Sequence, residues 1–361
     1  MSRFHSLPVA EVVRDTPESV AIEFDIPPPL RETFTFTPGQ YLTLRADVDG
    51  EDVRRPYSIC SGLDDRRLRV GVKKVPGGRF STFANELLEP GMTLSVMPPA
   101  GHFEWHVRED RAANHVGFAA GSGITPILSI AKSVLSRRSE DTFTLFYGNR
   151  TLGSVMFLDE LHDLKDRHLE RLRIVHLFSR ERTDVDLLHG RLDGSRVEKL
   201  AGQGFFDPTD VDAAYLCGPG DMIESVEAAL ARLGVPADRI RAERFTPASG
   251  VAPIPTVRAR TFEPVVAAGG PEIEVILDGT RRSFPMGSDQ DVIRGAAERG
   301  VELPYSCAGG MCCTCRCKVL EGEVDMAVNY SLEPWELEAG FVLACQSRPK
   351  TQRVVLDFDA L

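Results

Sequence analysis

Cys307, Cys312 and Cys315 stand in the run Cys307-Ala-Gly-Gly-Met-Cys312-Cys-Thr-Cys315, and Cys345 follows in Leu343-Ala344-Cys345-Gln346. Two iron atoms bridged by sulfide need four inward-facing thiolates, and a C-x4-C-x2-C run with one distant cysteine supplies them. Glycines between the first two ligands let the chain wrap a cluster closely and turn its N–H groups toward the sulfurs. Structural zinc is the alternative, but its cysteines usually come as two short knuckles, and here one short pair is joined by a lone distant cysteine. A disulfide staple suits a small secreted chain better than this one. Cys313 and Cys317 also lie beside the motif. Only Cys312 satisfies both spacings, so Cys307, Cys312, Cys315 and Cys345 are the expected metal ligands and the other two are assigned to packing.

A one-electron centre needs a donor, and three upstream motifs have the chemistry to provide one. In Arg55-Pro56-Tyr57-Ser58 an arginine can pair with a diphosphate, while an aromatic two residues on faces the same side of a strand and can stack on a flat ring. Ser58 would place a hydroxyl near that ring. Lys73 and the run Gly77-Gly78-Arg79-Phe80-Ser81-Thr82 add glycines for close backbone approach, with Ser81 and Thr82 at an expected helix N-terminus suited to phosphate. Together these motifs predict a flavin site, and their phosphate contacts suit FAD or FMN equally.

The third motif, Gly121-Ser-Gly123-Ile124-Thr125-Pro126, falls at a strand-to-helix turn, where bared N–H groups bind pyrophosphate. It departs from G-x-G-x-x-G where Pro126 replaces the last glycine. Cys217-Gly218-Pro219 ends a later strand, the place where open α/β sheets bind ligands. Ser179 and Arg180, at the end of another strand, can hold the 2′-phosphate of NADPH, with Arg150 and Arg191 nearby. Glu181 offers the competing choice, because an acidic residue on the ribose hydroxyls would favour NADH.

These motifs need three kinds of support. Short alternating runs (9–13, 19–24, 41–45, 68–72, 93–97) separated by Pro and Gly clusters predict an antiparallel β-barrel over residues 1–107, with one helix from Ser81 to Leu88. From residue 108 to 245 the period changes. Apolar strands at 115–120, 142–147, 172–177 and 213–217 alternate with helical stretches, which predicts an α/β domain with a parallel sheet. Residues 246–271 are rich in Pro, Gly and Ala and read as a linker. Within 272–361, two strands flank the Asp278-Gly279 turn as a hairpin, and Ser288 with Asp291 resembles a capping box opening a helix toward Gly300.

Composition narrows the function. Of 361 residues, 42% are hydrophobic and 26% charged, a balanced globular composition. No apolar run reaches membrane-spanning length and the N-terminus lacks a signal-peptide core, so the expected location is the cytoplasm. A net charge of −11 argues against a nucleic-acid surface. From Glu272 onward fifteen acidic residues face nine basic ones, so an acidic face can steer a basic partner.

In order, Arg55 to Ser58, Gly78 to Thr82, Gly121 to Pro126, Cys217 to Pro219 and Glu243-Arg244-Phe245 resemble a ferredoxin–NADP reductase module fused to a plant-type [2Fe-2S] ferredoxin. The segment from Tyr305 through Asn329-Tyr330 and Phe341 to Gln346 is similar to the reductase subunits of phenylacetyl-CoA epoxidases. The resemblance implies a multidomain chain: an antiparallel β-barrel FAD domain, an α/β parallel-sheet NAD(P)-binding domain and a β-grasp [2Fe-2S] ferredoxin domain. It implies FAD, with NADPH as cosubstrate. Tyr57 and Ser58 would hold the isoalloxazine, Thr125 and Cys217 would line the nicotinamide side, and the four cysteines would pass electrons to diiron oxygenase subunits. The alternatives are the reductase of another oxygenase, hydroxylase or desaturase, and a non-catalytic assembly subunit.

Overall fold

The computed structural model describes residues 4–105, 111–245, 270–332 and 334–360. The expected linker therefore lies, apart from its last two residues, outside the described residues. Among them no helix is long and apolar enough to cross a membrane.

The first unit is built from β1 (His5–Thr16), β2 (Ser19–Phe24), β3 (Tyr41–Val48), β4 (Glu51–Ser58), β5 (Leu68–Lys73) and β6 (Thr93–Val96), with α1 (Arg79–Glu86) between the last two strands. The antiparallel order is β4-β3-β6-β1-β2-β5, and an Ile59 to Val70 bridge joins the outer strands into a barrel. β2 is buried along its whole length because the barrel core covers one face and neighbouring chain the other. Pro56 is tolerated because β4 lies at one end of the ladder, where a missing N–H costs little.

α1 begins two residues earlier than the sequence suggests. The Ser81 hydroxyl accepts from the Val75 N–H (3.1 Å) and donates to the Gly78 carbonyl (3.1 Å), closing the turn before the helix.

The second unit contains β7 (Asn114–Ala120), α2 (Ile124–Arg137), β8 (Thr142–Asn149), α3 (Leu158–Arg167), β9 (Leu172–Phe178), α4 (Gly194–Gly202), β10 (Ala213–Gly218), α5 (Gly220–Arg232) and β11 (Ile240–Arg244). All five strands are parallel, in the order β11-β10-β7-β8-β9. Two elements go beyond the sequence expectation: α4, whose start is capped by the Asp193 carboxylate on the Arg196 N–H, and the short edge strand β11. α2 packs two ways: Ile127, Ile130 and Val134 share one core with Phe143 and Leu145 of β8 and with Cys60, Phe103 and Trp105 of the barrel. That shared apolar face seats the α/β unit on the barrel.

The third unit comprises β12 (Glu272–Leu277), β13 (Thr280–Pro285), α6 (Val292–Glu298), β14 (Arg316–Glu321), β15 (Val324–Met326), α7 (Pro334–Glu338), β16 (Phe341–Leu343), β17 (Ser347–Pro349) and β18 (Arg353–Asp357). Its mixed sheet runs β13-β12-β18-β14-β16. Asp278 and Gly279 both have positive φ (50° and 70°), the primed turn that matches the strand twist of a tight hairpin. The cap of α6 differs from expectation. Asp291 is itself the N-cap, accepting from the Arg294 N–H at 3.0 Å, while Ser288 is exposed three residues upstream. A carboxylate adjoining the first helical residue reaches the free N–H groups directly.

Candidate redox site

A cleft of 720 Å³ opens where the three units meet, within the range of about 300–1,000 Å³ common for cofactor sites. Arg55, Tyr57 and Ser58 enter it from the end of β4, and Lys73 from the end of β5. The Tyr57 ring packs 5.4 Å from Phe80 of α1, so the aromatic wall is held from behind. Gly78 and Ser81 also line the cleft, but Ser81 spends its hydroxyl on the Val75–Gly78 turn, and Thr82 is not part of the lining.

From the α/β unit Ser122 and Thr125 reach the cleft, and the Thr125 hydroxyl donates to the Ser122 carbonyl at 3.0 Å. Gly121, Ile124 and Pro126 complete the turn without lining it. A Cβ on Gly123 would lie 2.1 Å from the Cys217 carbonyl, so glycine is required where the turns after β7 and β10 touch. Cys217 is fully buried and burial raises its thiol pKa well above the ordinary value; with Gly218 and Pro219 it stands behind the cleft wall rather than on it. Burial lowers the Lys73 ammonium, with Arg150 acting in the same direction.

Ser179 and Arg180 lie apart from the cleft, at the end of β9. Their N–H groups donate to the carbonyls of Asn149 (3.0 Å) and Arg150 (2.9 Å), which brings the Arg150 and Arg180 backbones together. Arg191 pairs with Asp221 at 2.7 Å, and the Glu181 carboxylate accepts from the Leu152 N–H at 2.8 Å. The acid that would favour NADH is thus engaged with backbone.

One group escaped functional assignment in the sequence. Glu243, on β11, projects into the cleft and accepts from the Ser58 hydroxyl at 3.3 Å. Desolvation pushes its carboxyl up to about 8, opposed by that hydrogen bond. The Glu-Arg-Phe run marked the position, but its environment comes from a strand 185 residues away in sequence.

The cysteine loop forms the third wall, through Cys307, Ala308, Gly309 and Cys312. Its four expected ligands fall into two pairs. The Cys307 thiol lies against that of Cys312, and the Cys315 thiol against that of Cys345. Among the described residues no three metal-binding side chains converge on a single ion position. Two pairs fit two irons with two thiolates each. The Cys307 sulfur accepts from the N–H groups of Gly309 (3.3 Å) and Met311 (3.5 Å), and the Cys315 sulfur from that of Cys345 (3.5 Å). Gly310 has φ of 77°, and a Cβ there would meet the Val328 carbonyl at 3.0 Å. Cys313 instead bonds the Ser331 hydroxyl at 3.0 Å, and Cys317 is buried in the domain core.

Three family models match the chain in succession. They are an oxidoreductase FAD-binding domain over residues 7–105, an oxidoreductase NAD-binding domain over 118–228 and a 2Fe-2S iron-sulfur cluster binding domain over 275–350. One subunit of the 1,2-phenylacetyl-CoA epoxidase of Escherichia coli (strain K12) is 46% identical over 362 residues, spanning 100% of this chain and 99% of that protein. The ferredoxin reductase component of 3-ketosteroid-9-alpha-monooxygenase from Rhodococcus rhodochrous is 34% identical, spanning 99% of this chain and 97% of that protein. Phthalate dioxygenase reductase shares the fold over 98% of both chains, with a TM-score of 0.58 at 22% identity. The cleft, the nucleotide turns and the paired thiols accord with FAD, a pyridine nucleotide and a [2Fe-2S] cluster. The chain belongs to the family of NAD(P)H-dependent oxidoreductases that join an FAD-binding domain, an NAD-binding domain and a [2Fe-2S] domain in one polypeptide as oxygenase reductase components.

Proposed function

We propose that this chain is the NADPH-dependent reductase of a phenylacetyl-CoA epoxidase, delivering electrons to its diiron oxygenase subunits. The observation that carries the reading is the 46% identity, maintained from end to end, with a subunit of the Escherichia coli epoxidase. When bound, the nicotinamide supplies two electrons as a hydride, FAD accepts them as a pair and releases them singly, and the cluster carries one at a time.

The protein's own residues do the positioning. Arg55 holds the flavin diphosphate, and Tyr57 and Ser58 hold the ring. The turn Gly121 to Pro126, whose Ser122 and Thr125 reach the cleft, cradles the nucleotide pyrophosphate, with Gly218 and Pro219 backing the nicotinamide side from behind. Thr125 approaches the ring directly, and Cys217 supports that side from behind. Glu243, whose carboxyl desolvation pushes up to about 8, holds a proton at the wall beside Ser58. Arg180, with Arg150 beside it, receives the 2′-phosphate. Cys307, Cys312, Cys315 and Cys345 ligate iron, and the acidic ferredoxin domain faces a basic acceptor.

Reconstitution tests the acceptor. With purified oxygenase subunits of a phenylacetyl-CoA epoxidase, NADPH oxidation should be coupled to epoxide formation. Full activity of the flavin and cluster without such coupling would instead favour another oxygenase, the reading that the 34% identical steroid monooxygenase reductase supports.

A further inference from the structure

The cluster-bearing domain is not merely near the barrel; it is fastened to strands β3 and β4 by barrel side chains that belong to no cofactor motif. Arg54, one residue before the motif arginine, has its side chain only 6% exposed. It donates to the Glu302 carboxylate at 2.7 Å and to Asp52 at 2.9 Å, and its guanidinium sits 4.6 Å from the centre of the Tyr305 ring. Arg45, itself held by Asp52, reaches the same Glu302 oxygen at 3.4 Å. Glu302 and Tyr305 immediately precede the cysteine loop.

The second fastening is closer to the cluster. The buried Tyr41 hydroxyl bonds the backbone carbonyl of Cys312, an expected iron ligand, and the Thr314 hydroxyl at 2.8 Å. Tyr41 on β3 pairs in register with Ser58 on β4. The cluster loop is therefore anchored one strand away from the residue proposed to hold the flavin ring.

We propose that Arg54–Glu302 and Tyr41–Cys312 form a docking latch that sets the geometry of flavin-to-cluster electron transfer, with Arg54, Glu302 and Tyr41 as positioning residues. With the cofactors bound, a hydride from NADPH and one solvent proton would give two-electron-reduced FAD. Its electrons would leave singly, each reducing one ferric iron to ferrous, with the acceptor reoxidising the cluster between them and two protons returning to solvent. The latch acts on the electron transfers alone, whichever oxygenase is the acceptor.

The test uses the holoprotein and Glu302→Arg, which places a third cation against Arg54 and Arg45 without touching the cleft. Stopped-flow absorbance should show flavin reduction by NADPH unchanged and cluster reduction slowed about fivefold or more, the scale of one lost and reversed ion pair. Small-angle X-ray scattering should give a larger radius of gyration for the variant. The double variant Arg54→Glu/Glu302→Arg should recover both in part, because Arg54 also holds Asp52 and faces the Tyr305 ring. In the unaltered protein with NADPH at saturation, raising salt to about 0.5 M should slow the cluster step more than flavin reduction, since screening reaches an exposed carboxylate. Tyr41→Phe should slow the same step while flavin and cluster content stay full. A cluster step indifferent to Glu302→Arg would overturn the latch; if that variant fails to assemble, indifference to salt and to Tyr41→Phe would do so.

Discussion

The Ser58 hydroxyl donates to the Glu243 carboxylate across 3.3 Å, tying the end of a barrel strand to the last strand of the nucleotide domain. The bond places one titratable group at the wall where both cofactor domains meet. Its proton is retained because the carboxyl is desolvated there and only one hydrogen bond favours the charged form.

The pH dependence follows from that proton. In the folded chain desolvation pushes the Glu243 carboxyl up to about 8 from an ordinary 4.5, so the native state binds the proton more tightly than the unfolded state. Its stabilising contribution is complete below the free value and is lost as pH rises through the folded value. Melting temperature should therefore fall more between pH 6 and about 9 in the unaltered protein than in Glu243→Gln, which cannot ionise. Parallel curves would remove the titration from Glu243.

Replacing Cys312 with Ser should abolish electron transfer through the cluster and leave NADPH-driven bleaching of the flavin intact. The Cys312 thiol lies in one of the two thiol pairs expected to ligate iron, whereas the side chains proposed to hold the flavin, Arg55, Tyr57 and Ser58, come from the barrel. Visible spectra before and after NADPH addition check this. Loss of flavin reduction as well would mean that the two centres are not separable.

Arg180→Ala should raise KM for NADPH roughly tenfold, the scale of a charge-assisted hydrogen bond, and leave KM for NADH nearly unchanged. Arg191→Ala should change the NADPH value little, because Arg191 is already occupied by Asp221. Steady-state ferricyanide reduction with each nucleotide measures both. Equal effects of Arg180→Ala on the two nucleotides would detach that residue from the 2′-phosphate.

The α6 cap gives a stability prediction. Asp291→Ala should cost about 1 kcal/mol and Ser288→Ala only a few tenths, since the Asp291 carboxylate bonds the Arg294 N–H while Ser288 is exposed. Denaturant unfolding followed by the cluster absorbance distinguishes the two. A larger loss at Ser288 would restore the capping box expected from sequence.

What the sequence disclosed follows from how chemistry constrains spacing. A two-iron cluster fixes the distances between its cysteines, and a strand that ends in a glycine turn is short enough to recognise, so the [2Fe-2S] domain and the strand-to-helix turn at Gly121 were legible. Primed turns require positive φ, which made Asp278-Gly279 readable as a hairpin. Glu243 and Arg54 were not legible as parts of a site, because their partners Ser58 and Glu302 lie 185 and 248 residues away. Neither separation leaves a periodic or compositional trace. The early start of α1 was hidden for a local reason: Ser81 can cap a helix or close the turn before it, and only the position of the Val75 N–H decides between them.

Electrons should pass in order from nicotinamide through flavin to cluster within one chain. Mixing the oxidised holoprotein with NADPH under anaerobic conditions resolves that order, with both chromophores followed by absorbance and the cluster by freeze-quenched paramagnetic resonance. Flavin bleaching should come first, and the reduced-cluster signal should grow only afterwards, at the expense of reduced flavin. A cluster reduced before the flavin, or never reduced while the flavin turns over, would contradict the path.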